Sequence, residues 1–150
     1  MTQNPTAASK DADTDRGHLR VIRSGENPKH TLALIDDDEA ILMYLRTYLE
    51  QRGFGVRAYQ SAEAALRAFE DKMHCDLVLV DFRMPAANGL EITKKLRAKF
   101  PAVPVVLMTA YASIEGAVAA MREGASDYIE KPVSLDKLDA VITKFLPPLQ

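Results

Sequence analysis

A single cysteine, Cys75, in 150 residues leaves no partner for an internal disulfide and too few thiolates for a Cys-based zinc site. Its place before an apolar run suits a small, partly buried residue better than a nucleophile. No apolar stretch approaches the roughly 18 residues of a membrane-spanning helix, and the N-terminus has no signal-peptide core, so the chain reads as cytoplasmic with no membrane partner. A formal net charge of -2 offers no basic excess of the kind that direct nucleic-acid binding requires. There is no glycine-rich phosphate loop after the first apolar run. No Ser-His-Asp set is visible either: His18 and His30 lie in or near the N-terminal segment, and His74 sits on a polar turn. These absences set aside several large function classes and leave one domain of ordinary composition, 47% hydrophobic and 27% charged.

Residues 1–30 have no sustained apolar period and read as a disordered tail whose charges nearly cancel. Leu19, Val21 and Ile22 are its only apolar cluster, and Asn27-Pro28-Lys29-His30 marks the junction. From residue 31 strands and helices alternate. Thr31–Ile35 is an apolar run leading into Asp36-Asp37-Asp38-Glu39. A helix over 39–52 follows, capped by Asp38, with Ile41, Leu45 and Tyr48 inward and Gly53 as its stop. Phe54–Tyr59 alternates like an edge strand, and Ser61 caps a helix carrying Ala62, Ala65, Leu66 and Phe69. Leu77–Val80 runs straight into Asp81. The Asn88-Gly89 turn then opens a helix with Ile92, Leu96 and Phe100, ended by Pro101. Val103–Met108 leads into Thr109. The next helix starts near Ser113, with Ile114, Ala117, Val118 and Met121 on one face, and stops at Gly124. Ser126–Ile129 precedes Glu130-Lys131-Pro132, and Ser134 caps a last helix with Leu135, Leu138, Ile142 and Phe145. Pro147-Pro148 closes the segment.

Five β/α units imply a parallel sheet with helices on both faces, an α/β fold. The most apolar strands, the first, third and fourth, belong at the centre, which predicts the flavodoxin-like order 2-1-3-4-5. Ligands of such sheets bind outside the carboxyl ends of the strands at the switch point between the first and third. The strand ends there carry Asp36 and Asp37, Asp81, Thr109 and Lys131. Clustered carboxylates repel unless a cation neutralises them. Hard oxygen ligands favour Mg²⁺, with Mn²⁺ as the alternative. The hydroxyl of Thr109 and the ammonium of Lys131 suit phosphoryl oxygens.

Four segments, taken in order, resemble the response-regulator receiver domains of two-component signalling. They are Leu34-Ile35-Asp36-Asp37-Asp38-Glu39; Leu79-Val80-Asp81-Phe82-Arg83-Met84-Pro85 with Asn88-Gly89; Leu107-Met108-Thr109-Ala110; and Asp127-Tyr128-Ile129-Glu130-Lys131-Pro132. The resemblance covers about residues 31–146, leaving 147–150 as a C-terminal end. It implies that Asp81 is a phosphoacceptor served by a sensor histidine kinase or a histidine phosphotransfer protein. Asp36 and Asp37 would hold Mg²⁺ with Asp81 and the backbone carbonyl of Arg83. Thr109 would be the switch hydroxyl, Lys131 the phosphate-binding lysine, with a cis bond to Pro132, and Tyr128 the switch aromatic. Output would pass through the face of the fourth helix, fifth strand and fifth helix, to an unknown partner protein or a phosphorylation-dependent dimer.

Arg83 and Tyr111 stand at the two positions expected to tune the acyl-phosphate lifetime, and both are bulky. The run Thr109-Ala110-Tyr111-Ala112-Ser113 looks most like receivers of the nitrogen-regulation type. The expected function is a phosphorylatable receiver that is not an enzyme beyond self-phosphorylation and slow autodephosphorylation. Met1 and the Pro-Pro end favour a stand-alone receiver over a fragment of a longer transcriptional regulator. The rival from another class is a Mg²⁺-dependent phosphohydrolase with an aspartate nucleophile. Such enzymes need a second Asp two residues after the first, and here that residue is Arg83.

Overall fold

The computed structural model describes residues 30–71, 73–84, 89–110 and 113–146. The expected tail, apart from His30, lies outside these residues, as do Pro85, Asn88, Tyr111 and the Pro147-Pro148 end. The chain alternates β1 (Thr31–Ile35), α1 (Glu39–Gln51), β2 (Gly55–Tyr59), α2 (Ala62–Glu70), β3 (Leu77–Asp81), α3 (Gly89–Lys99), β4 (Val105–Thr109), α4 (Ile114–Arg122), β5 (Asp127–Glu130) and α5 (Leu135–Phe145). The five strands form one parallel sheet in the order β2-β1-β3-β4-β5.

The order follows from burial. Every residue of β3 and β4 is buried, whereas β2 and β5 keep partly exposed positions, as edge strands do. Successive side chains of a strand point to opposite faces, and the core divides accordingly. Leu32, Leu34, Leu77, Leu79, Val106 and Met108 face one layer, where they meet Leu42, Leu45 and Leu49 of α1 and Leu138 and Ile142 of α5. Ala33, Ile35, Val78, Val80, Val105 and Leu107 face the other, against Ala65 and Phe69 of α2, Ile92 and Leu96 of α3, and Ala120 of α4.

The helix boundaries carry the expected caps. The Asp38 carboxylate accepts from the backbone of Ala40 and Ile41, and the hydroxyls of Ser61, Ser113 and Ser134 accept from the third residue beyond each. Gly53 and Gly124, with φ of 102° and 107°, stop α1 and α4 in backbone that other residues rarely adopt.

Four expectations shift. In α1 the buried residues are Leu42, Leu45 and Leu49, while Ile41 and Tyr48 are half-buried at its margin. Tyr48 instead donates its hydroxyl to Asp139 of α5, at 2.7 and 2.8 Å from the two carboxylate oxygens. The helix thus lays Leu42, Leu45 and Leu49 on the sheet and reaches α5 at its margin through Tyr48. In α4, Val118 and Met121 are exposed and Ala120 is the buried residue. A helix that approaches the sheet through Gly116, Ala117 and Ala120 presents Val118 and Met121 to solvent. Next, β4 begins at Val105, after Pro104, whose ring removes the N–H that a central strand would use. Cys75 is more deeply buried than expected, at 2% exposure.

Candidate functional site

At the carboxyl ends of β1, β3 and β4 the sheet carries polar residues into buried positions. Asp36 is fully buried, and Asp81 and Thr109 are 7% and 9% exposed. Asp37 is exposed. Buried polar groups of this kind need partners, and the local chain supplies them by one device used twice. The Asp38 N–H donates to Asp36 Oδ1 at 2.9 Å, and the Arg83 N–H reaches toward Asp81 Oδ1 at 3.4 Å. Each is an Asx turn, in which the side chain holds a backbone amide two residues on. Asp38 is thus both the cap of α1 and a clamp on Asp36. The sequence pattern had shown only the cap, although the two-residue spacing is its signal.

Lys131 enters from the loop after β5. Its backbone N–H donates to the carbonyl of Thr109 at 2.7 Å, which fixes the base of the side chain. Its ammonium then bridges Asp36 Oδ2 at 2.9 Å and Asp81 Oδ1 at 3.1 Å. The Lys131–Pro132 peptide bond is cis. Burial lifts the Asp81 carboxyl above its ordinary range, the Lys131 hydrogen bond opposes that, and the Asp36 charge adds to it. Burial pulls the Lys131 ammonium down, but the Asp36 and Asp81 carboxylates together hold it above its ordinary value.

One oxygen each from Asp36, Asp37 and Asp81 can lie within 4.8 Å of one another. This hard, all-oxygen donor set, with one member in contact with solvent, fits a small divalent cation. Beside it opens a cleft of about 160 Å³ lined by Asp81, Phe82, Arg83, Thr109, Ala110 and Lys131. Asp36, Asp37, Asp81, Thr109, Lys131 and Arg83 therefore share one end of the sheet. Tyr128 does not line that cleft. It is half-buried on β5, paired with Leu107, and borders with Thr109 a separate cavity of about 20 Å³ between the sheet and α4. His30 and His74 sit at the other end of the strands, 3.8 and 3.3 Å from the Asp76 carboxylate. The Cys75 thiol is pushed up to about 12 by burial, with the Asp76 charge adding to it, and a thiol so protonated is no nucleophile.

A doubly wound five-stranded sheet with acidic residues, a threonine and a lysine at its carboxyl edge defines a class of phosphorylatable signalling domain. The chain belongs to the response regulator receiver domain family, whose model matches residues 32–143. It is 38% identical over 115 residues to the regulatory protein AtoC of Escherichia coli (strain K12), a match covering 77% of this chain and 25% of that protein. It is 34% identical over 116 residues to the DNA-binding transcriptional regulator NtrC of Proteus hauseri, covering 77% and 24%. NtrC among the relatives accords with a receiver of the nitrogen-regulation type. The matched segment is about a quarter of the length of these relatives. Among solved structures, a CheY-like receiver domain protein from Methanospirillum hungatei JF-1 superposes with a TM-score of 0.72 at 32% identity, covering 77% of this chain and 93% of that one. No helix among the described residues is long and apolar enough to cross a membrane.

Proposed function

We propose that Asp81 accepts a phosphoryl group from the phosphohistidine of a sensor histidine kinase or a histidine phosphotransfer protein. The observation that carries this is Lys131 bridging Asp36 and Asp81 at 2.9 and 3.1 Å in a cleft that Thr109 also lines. A carboxylate oxygen of Asp81 attacks phosphorus, the P–N bond breaks, and the protonated imidazole departs as the neutral base. Among the described residues, the donors to Asp81 address Oδ1, so Oδ2 is the proposed nucleophile. Lys131 stays within reach of the equatorial oxygens as their charge grows, and the Thr109 hydroxyl donates to one of them. Asp36, Asp37, Asp81 and the backbone carbonyl of Arg83 are the proposed ligands of Mg²⁺ (Mn²⁺ as the alternative), which when bound neutralises charge on the phosphoryl oxygens.

The switch reading rests on Thr109 and Tyr128 bordering the same small cavity. Movement of the Thr109 hydroxyl toward a phosphate frees space against which Tyr128 can repack, and α4 is the element beside it. Val118 and Met121, exposed on α4, make the α4–β5–α5 face the proposed output surface, for a partner protein or for a second copy on phosphorylation. Arg83 stands two residues after Asp81, in place of the acid/base that a hydrolase would need, which favours a held phosphoryl group over turnover. The folded unit is proposed to span 31–146, with 1–30 as a tail and 147–150 as an end segment, in the cytoplasm. A second reading, a receiver working within a longer regulator, is favoured by the length of the relatives.

The test is incubation of the full chain with Mg²⁺ and acetyl phosphate, read on a phosphate-affinity gel beside Asp81→Asn. The wild-type band is expected to shift and the variant band to stay. A shift that persists in Asp81→Asn would reject the site, and no shift in the wild type, with acetyl phosphate or with a phosphorylated histidine kinase as donor, would reject the function.

A further inference from the structure

Gly89 opens α3 and is buried, with its N–H donating to the Phe82 carbonyl at 2.8 Å. Its backbone is not in the left-handed region, so glycine's conformational freedom is not what places it there. Space is the reason. A Cβ on Gly89 would lie 2.7 Å from the backbone oxygen of Asp81, 3.0 Å from the Cα of Phe82 and 2.6 Å from Leu107 Cδ2. The last of these is the end of a side chain and can swing aside. The first two are backbone and cannot. The same peptide is gripped from the far side, where the Phe82 N–H donates to Met108 of β4 at 2.8 Å. The turn of α3 is itself held inward, because the buried Thr93 hydroxyl donates to the Gly89 carbonyl at 2.7 Å.

We infer that Gly89 is a positioning residue for the acidic site. Its bare Cα lets the first turn of α3 press on the Asp81–Phe82 peptide and set where the Asp81 carboxylate and the Arg83 backbone stand. The inference rests on the proposed role of Asp81. A methyl group pushes the helix and that peptide apart, and site groups displaced by about 1 Å lose on the order of 10²-fold in rate. Disturbing the support of a metal ligand costs about 10- to 100-fold in affinity.

The experiment compares the wild-type chain, Gly89→Ala, Leu107→Ala and the double variant. Mn²⁺ affinity is read by EPR, phosphorylation rate by acetyl phosphate at saturating Mg²⁺, and folding by circular dichroism. Leu107→Ala removes the side-chain clash and leaves the backbone clash. The expected result is that the double variant folds like Leu107→Ala, yet binds Mn²⁺ about tenfold more weakly and is phosphorylated more slowly by a similar or larger factor. Recovery of both affinity and rate in the double variant would overturn the inference, because Gly89 would then be a packing residue only. Failure of both Gly89 variants to fold would overturn it for the same reason. A wild type that binds Mn²⁺ but takes no phosphoryl group rejects the function above, while the Mn²⁺ comparison still decides the role of Gly89.

Discussion

Replacing Lys131 by methionine isolates the electrostatics of the site from its shape. The ammonium lies 2.9 Å from a fully buried Asp36 carboxylate and 3.1 Å from Asp81, and is itself only 16% exposed. Two contacts at this range are each worth about 5 kcal/mol of attraction at an effective dielectric near 20, before the desolvation that both partners have already undergone. Deleting one partner of such a buried pair costs about 3–5 kcal/mol. Partial exposure, and the readiness of the Asp81 carboxyl to take up a proton, pull the expected loss to the low end, about 3 kcal/mol. That corresponds to a fall in Tm of roughly 10 °C for a domain of this size.

The loss belongs to the metal-free protein. A divalent cation bound to the three carboxylates replaces the missing positive charge and stabilises the fold by mass action, so in excess Mg²⁺ the penalty shrinks to below about 1 kcal/mol. Urea unfolding followed by circular dichroism serves, since the chain has no tryptophan. The two proteins are compared in EDTA and in Mg²⁺, with unchanged m-values as the condition for reading the difference as stability. Equal stability of wild type and Lys131→Met in EDTA would refute the reasoning, and so would a loss indifferent to Mg²⁺.

Asp81→Asn should raise Tm in EDTA at pH 7. Asp81 has a carboxyl raised in the folded state, and the stability it contributes is present below its unfolded value and lost as pH rises through the folded one. A lower Tm for Asp81→Asn would contradict that sign. Cys75 behaves alike at the alkaline end: stability declines from about pH 9, its ordinary value, toward about 12, and Cys75→Ser flattens the decline. Native protein at pH 8 should label with iodoacetamide far more slowly than protein in urea. Leu45→Ala, at a fully buried position, should cost about 2–5 kcal/mol in the same urea assay. Tyr111→Ala and Arg83→Ala should each shorten the acyl-phosphate half-life by admitting water; an unchanged half-life in both would remove the steric account.

Much of this protein was legible in its residues because a doubly wound sheet writes its plan in local chemistry. Buried strands have to be apolar throughout, helices have to announce their ends with Asp38, Ser61, Ser113 and Ser134, and a switch point gathers whatever stands after the first and third strands. Hence the order 2-1-3-4-5 and the pooling of Asp36, Asp37 and Asp81 followed from one dimension. The inward faces of α1 and α4 did not, because periodicity reports which residues share a side and not which side meets the sheet. Ile41 and Tyr48 were left at the margin of α1, with Tyr48 bonded to α5, and Val118 and Met121 were turned toward solvent, by how each helix docks. The double grip of Lys131 on Asp36 and Asp81 spans 95 and 50 residues of chain, beyond the reach of any local pattern. Asn88-Gly89 read as a turn signal. Only the fold shows that Gly89 is required for the absence of its side chain, since the Asp81 backbone it would strike is brought there by the packing of α3 on β3.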